Sequence, residues 1–173
     1  MGSVTIKGVG STISELRKFG EKAEKLINAE TQAIAFQIEA DAKKLAPKNF
    51  GKLAQSISHA KVKPALYKVT VNELYGAYME FGTGSKVNVP AEFADMAATF
   101  KGKKQGTFKQ GLEAIKVWCK AKGIPEEAAY PIFAKILGAG INPSPFLYPS
   151  WIKGKKDYQN NLERLLKSLN KKI

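Results

Sequence analysis

An uninterrupted amphipathic run from residue 12 to about residue 45 constrains this chain more than any other feature. Ile13, Leu16, Phe19, Ala23, Leu26, Ile27, Ala33, Ile34, Ile38, Ala42 and Leu45 recur at three- and four-residue steps, with Lys and Glu between them. That spacing predicts one long helix. At about 1.5 Å per residue it is a rod of roughly 50 Å. Two readings follow: the rod lies across its own sheet, or part of it serves a neighbouring subunit. Ala46-Pro47 ends it, because the residue before a proline avoids helical angles and proline has no N–H to donate.

A chain of 173 residues fits one domain and can bury roughly 70% of its unfolded surface without staples. Apolar residues at 44% and charged residues at 25% are ordinary for a globular protein. The charge balance is not: 28 Lys and Arg against 15 Asp and Glu leave +13, a field that favours acidic partners such as nucleic acid or an acidic protein surface. A single cysteine, Cys119, excludes an intramolecular disulfide and fits a reducing compartment. The start lacks a charged region followed by an apolar run, Ile6 breaks the myristoylation pattern, and no window approaches a membrane span. The expectation is a soluble protein, intracellular where it is made.

In chain order, Val4-Thr5-Ile6-Lys7 is weakly strand-prone, and Gly8-Val9-Gly10 then breaks it before Ser11 or Thr12 caps the long helix. These glycines lack the third member of a dinucleotide fingerprint, so they read as turn and cap. Gly51-Lys52-Leu53-Ala54-Gln55-Ser56-Ile57 leads into residues 58–62, and a turn at Lys63-Pro64-Ala65 leads to residues 66–71. Tyr67, Val69 and Val71 alternate with Leu66, Lys68 and Thr70, which predicts an antiparallel hairpin with one apolar face.

The stretch Tyr75-Gly76-Ala77-Tyr78-Met79-Glu80-Phe81-Gly82-Thr83-Gly84 holds the least ordinary chemistry. As a helix it places Tyr75, Tyr78 and Met79 on one face and stops at Gly82; as a strand it groups Tyr75, Ala77, Met79 and Phe81. The short helix is the favoured reading. Glu80 stands among aromatic and apolar neighbours with no second titrating group close in sequence, which marks a structural or interfacial carboxylate. Gly82-Thr83-Gly84-Ser85-Lys86 lacks phosphate-loop spacing and reads as a turn.

Residues 87–140 form a mostly helical insertion in a single domain spanning 1–173. It opens with a short helix over 90–98 and a basic, glycine-bearing loop with Lys101, Lys103 and Lys104. Those lysines are the candidate contact for DNA or an acidic partner, against the plainer reading of a solvated loop. A helix from Thr107 to Lys122, a stop at Gly123 and a second helix from Pro125 to Gly138 complete it, with Pro131 predicted to kink the second. Pro143, Pro145 and Pro149 then predict an extended segment presenting Phe146, Leu147, Tyr148 and Trp151, and a closing helix runs from about Trp151 to Lys171.

No catalytic set is visible. His59 is the only histidine, no G-x-S-x-G elbow accompanies it, and Cys119 has no local base. Catalytic, metal and cofactor residues are therefore expected to be none.

Four signatures in order carry a family resemblance: the long helix ending in Ala46-Pro47, Gly51-x-Leu53-x-x-Ser56-Ile57, residues 75–84, and Pro143-Ser144-Pro145-Phe146-Leu147-Tyr148-Pro149. Together they resemble the tail-completion or neck proteins of long-tailed bacteriophages, over nearly the whole chain. Asn49-Phe50, Met79 and Ser150 depart from the usual residues. The resemblance implies an α+β fold in which the long N-terminal helix packs on a small, mainly antiparallel sheet, with an inserted helical hairpin and a C-terminal helix. It further implies a non-enzymatic virion protein, assembled in the bacterial host cytoplasm, that joins head to tail as a ring of identical subunits. Its partners would be copies of itself, neighbouring neck, connector or tail-tube proteins, and packaged DNA non-specifically, with no membrane and no small-molecule substrate. The residues assigned to interface or structural roles are Tyr75, Tyr78, Glu80, Phe81, Gly82, Thr83, Gly84, Pro145, Phe146 and Leu147. The rival reading is a stand-alone basic nucleic-acid-binding domain, weakened by the presence of only two arginines, Arg17 and Arg164.

Overall fold

The computed structural model describes residues 9–48, 51–73, 75–99 and 107–170. The expected opening strand at 4–7 and the basic loop with Lys101, Lys103 and Lys104 lie outside these residues. The long helix α1 (Val9–Leu45) carries Lys43 and Lys44 in its last turn, where the helix dipole favours cations. Gly51, in the left-handed region at φ 71°, leads into a short helix α2 (Lys52–Ser56) where the sequence reading gave only a connecting segment. Strands β1 (Ile57–Lys63) and β2 (Leu66–Val71) pair as the antiparallel hairpin. Its turn places Ala65 at φ 55°, a left-handed angle rarely used by a residue with a Cβ.

Helix α3 (Gly76–Phe81) settles the two-period stretch in favour of helix, and Gly82 ends it at φ 75°. Single 3₁₀ turns at Gly84–Lys86 and Ala91–Phe93 and the short α4 (Ala94–Ala98) follow. Helix α5 (Phe108–Ala121) starts in a capping box in which the Thr107 hydroxyl and the Gln110 side chain each satisfy the other's backbone N–H. Gly123 at φ 67° makes the stop that the sequence predicts. After a 3₁₀ turn at Glu126–Ala128 comes α6 (Ala129–Ala139), and then α7 (Leu147–Asn170).

Three expectations are corrected. The long helix begins at Val9, so Gly10, Ser11 and Thr12 lie within it and do not form the turn and cap before it. Pro131 does not stand inside a helix that it must kink: α6 begins at Ala129, so Pro131 occupies the first turn, where its missing N–H has no acceptor to lose. The extended proline segment is also shorter than expected. Helix begins at Leu147, with Pro149 in the first turn, and Phe146 is not presented but buried.

The described residues divide into two compact units. One comprises Met1–Ala40, His59–Val69 and Trp151–Ile173. Within it the hairpin packs on α1: Glu39 Oε2 accepts the His59 backbone N–H at 2.8 Å and pairs with the ring Nδ1, and Asn28 Oδ1 accepts from Ala65 N at 3.1 Å. The Phe36 ring meets His59 edge-on at 5.9 Å. Helix α7 runs antiparallel to α1 on another face. Asn161 donates to Glu30 at 2.7 Å, Gln37 donates to Asp157 at 3.0 Å, and the Thr31 and Tyr158 hydroxyls share a hydrogen bond of 2.9 Å. The helices are in close contact at Gly154, where a Cβ would lie 2.4 Å from Ile38 Cγ1.

The second unit comprises Asp41–Ser58 and Thr70–Ser150. Its core includes Ala42, Leu53, Ile57, Phe81, Cys119, Ala129, Phe133 and Phe146. Helices α5 and α6 form the expected hairpin, with the Phe133 ring over Gly111 and edge-on to Phe108 at 5.0 Å.

Candidate functional site

The stretch singled out in the sequence closes around Glu80, which is only 5% exposed. Its Oε2 accepts the backbone N–H groups of Phe146 and Leu147, each at 2.9 Å, and its Oε1 accepts that of Tyr148 at 2.8 Å. The first four N–H groups of a helix have no partner inside it. At α7 these belong to Phe146, Leu147, Tyr148 and Pro149, and Pro149 has none. One carboxylate from α3 thus satisfies every donor at the start of a helix 66 to 68 residues away, and its charge lies where the helix dipole favours an anion. Ser150 adds a buried hydroxyl bond to the Phe146 carbonyl at 2.7 Å.

The flanking backbone braces the same junction. Thr83 and Ile141 bond reciprocally: Thr83 N–H donates to the Ile141 carbonyl at 3.0 Å, and Ile141 N–H donates to Thr83 Oγ1 at 2.8 Å. Ser144 N–H donates to the Met79 carbonyl at 2.7 Å. Gly140 is required by this approach, since a Cβ there would fall 2.0 Å from the Thr83 carbonyl oxygen. Phe81, Phe93 and Tyr148 form an edge-to-face series with centroids 6.1 and 5.3 Å apart. Burial, then the Glu92 carboxylate beside it, raises the Tyr148 hydroxyl pKa above its ordinary value.

On the other face of α3 lies an apolar cavity of about 780 Å³. Tyr75, Tyr78 and Met79 line it together with Trp118 of α5 and Ile132 and Ile136 of α6. Lys52, Lys86 and Lys135 also line it, and among the described residues no carboxylate does. Burial and the Glu73 carboxylate raise the Tyr75 hydroxyl, opposed by a hydrogen bond with the Leu53 backbone.

Of the residues marked in the sequence, Glu80, Thr83, Phe146 and Leu147 therefore meet at one junction, with Phe81 and Gly82 buried beside them. Tyr75 and Tyr78 line the cavity, and Gly84 (φ 63°) and Pro145 are exposed. The cavity itself escaped sequence reading, because the apolar positions of α5 and α6 carry the same spacing whether or not a partner covers them. His59 pairs with Glu39, and Cys119 is fully buried. Among the described residues no three His, Cys, Asp or Glu side chains cluster as a metal site would require, and no helix is long and apolar enough to cross a membrane.

A family described as "Bacteriophage HK97-gp10, putative tail-component" matches residues 11–82. The matched stretch is similar to a phage tail component over 72 of the 173 residues. It spans nearly all of α1, the hairpin and α3, and it ends at Gly82, so it contains the Glu80 carboxylate but not the N–H groups that the carboxylate holds. Searches of the curated proteins and of the solved structures return no match.

Proposed function

We propose that this chain is a phage tail component, a non-enzymatic subunit of the neck or head-proximal tail end that assembles with copies of itself into a ring and joins or completes the head–tail connection. The carrying observation is the apolar stripe of α1. Its positions opposite α7 are covered: Ile34 and Ile38 are buried, and Asn161 stands opposite Glu30. An antiparallel partner that pairs 161 with 30 and advances at the same rise has reached its last described residue, Asn170, before it comes level with Leu16 and Ile13. Those two side chains continue the covered face and remain 64% and 53% exposed. A single stripe half covered within the subunit supports a neighbour for the other half, and a head-to-tail contact of that kind closes into a ring when the rotation allows. The excess positive charge would face either packaged DNA or an acidic neighbour.

Light scattering and electron microscopy on purified protein test this. Wild-type chain forms closed rings, alone or with its neck partners, and Leu16→Asp yields subunits with an unchanged melting temperature. Rings of normal yield from Leu16→Asp would remove α1 from the interface, and steeply salt-dependent DNA binding without any ring would favour the nucleic-acid-binding alternative.

A further inference from the structure

We propose that the cavity between α3 and the α5–α6 hairpin docks an acid-flanked apolar segment of a neighbouring virion protein, an inference that rests on the structural role above. Small-molecule sites usually carry a few convergent polar groups that fix one orientation. Here the walls are Tyr75, Met79, Trp118, Ile132 and Ile136, apolar over most of their surface and half-buried, not sealed. A volume of about 780 Å³ accepts several side chains at once, as a groove does when it takes the apolar face of a short helix or extended segment.

Charge selects the occupant. Lys52, Lys86 and Lys135 enter the lining from α2, from the turn after α3 and from α6, and among the described residues no Asp or Glu lines it with them. Cations converging from separate elements on an apolar groove favour an apolar segment with carboxylates at its ends and repel one with lysines. The walls are braced by contacts outside the groove: the Glu80 junction ties α3 to the start of α7, a capping box closes the start of α5, and Phe133 is packed over Gly111.

A fluorescein-labelled peptide with an Ile-Leu-Phe-Ile core between paired aspartates, its twin with lysines for aspartates, and laurate are the probes, titrated against the full chain by anisotropy and by Trp118 emission. The aspartate peptide binds, weakens as salt rises, and outcompetes its lysine twin by roughly tenfold or more. Substituting Lys52→Glu, Lys86→Glu and Lys135→Glu together reverses the preference without lowering the melting temperature. Equal binding of both peptides, binding of neither, or binding of laurate alone overturns the proposal, the last in favour of an anionic lipid. Self-association abolished by the triple substitution overturns it in favour of a second copy. Ring formation measured on the same wild-type chain separates the two readings: rings without peptide binding sink the groove alone, and peptide binding without rings sinks the ring alone.

Discussion

Replacing Glu80 with Gln keeps the length and nearly the volume of the side chain but exchanges one oxygen for an NH₂ group. The better orientation leaves the carbonyl oxygen where Oε2 stands, so the bonds from Phe146 and Leu147 survive. The NH₂ then faces the Tyr148 N–H, donor against donor, and the charge–dipole attraction at the start of α7 is gone. A charge-assisted hydrogen bond is worth about 1.5–3 kcal/mol, and the dipole contributes up to about 1 kcal/mol more. These effects overlap, so the expected loss is about 2–3 kcal/mol. Glu80→Ala removes all three acceptances and leaves buried donors unpaired, for about 3–5 kcal/mol. For a chain of this length each kcal/mol shifts the melting temperature by about 2–4 °C, so Glu80→Gln melts roughly 4–12 °C lower and Glu80→Ala lower still. Scanning calorimetry with urea titration at 25 °C measures both. If Glu80→Gln melts within about 1 °C of wild type, or if Gln proves worse than Ala, the carboxylate does not hold α7 in this way.

Gly140→Ala should be among the most damaging substitutions, because the new Cβ meets the Thr83 carbonyl at 2.0 Å, whereas Gly123→Ala, with nothing within 4 Å, should cost only the left-handed backbone strain of about 1–2 kcal/mol; chemical denaturation of the pair checks the contrast. Gly154→Ala should destabilise by about 1–3 kcal/mol through collision with Ile38, and combining it with Ile38→Ala should cost less than the two separate losses added. A strictly additive double-mutant cycle would deny that contact. The Tyr75 hydroxyl has a folded pKa above its ordinary 10.0, so its contribution to stability is intact below about pH 10 and is lost as pH rises through the folded value. Tyr75→Phe should therefore show a shallower fall in melting temperature between about pH 9 and about pH 11 than wild type does.

Much of this architecture is legible in the sequence because its signals are local. The spacing from Ile13 to Leu45, the stop at Ala46-Pro47, the alternation in 66–71 and the helical run from Thr107 to Lys122 are each written in neighbouring residues and appear in the structure as α1, the hairpin and α5. That α7 starts at Leu147, four residues before the expected Trp151, has a non-local cause. A proline-rich segment reads as extended, but Pro149 is harmless in a first turn, and the acceptor that makes the helix start at Leu147 is Glu80, far earlier in the chain. Composition likewise identifies Glu80 as an oddity among apolar neighbours without saying which N–H groups it meets. The groove was hidden because Trp118, Ile132 and Ile136 have the spacing of core residues, and periodicity reports that a face wants cover without telling what covers it.

The position of the protein in the particle is the most direct test of its role. Gold-conjugated antibodies raised against the purified chain, imaged by electron microscopy on intact and osmotically opened phage particles, should label only the junction between head and tail. Label spread over the capsid, along the tail or at its far tip, or no label on either preparation, would contradict a subunit that joins or completes the head–tail connection.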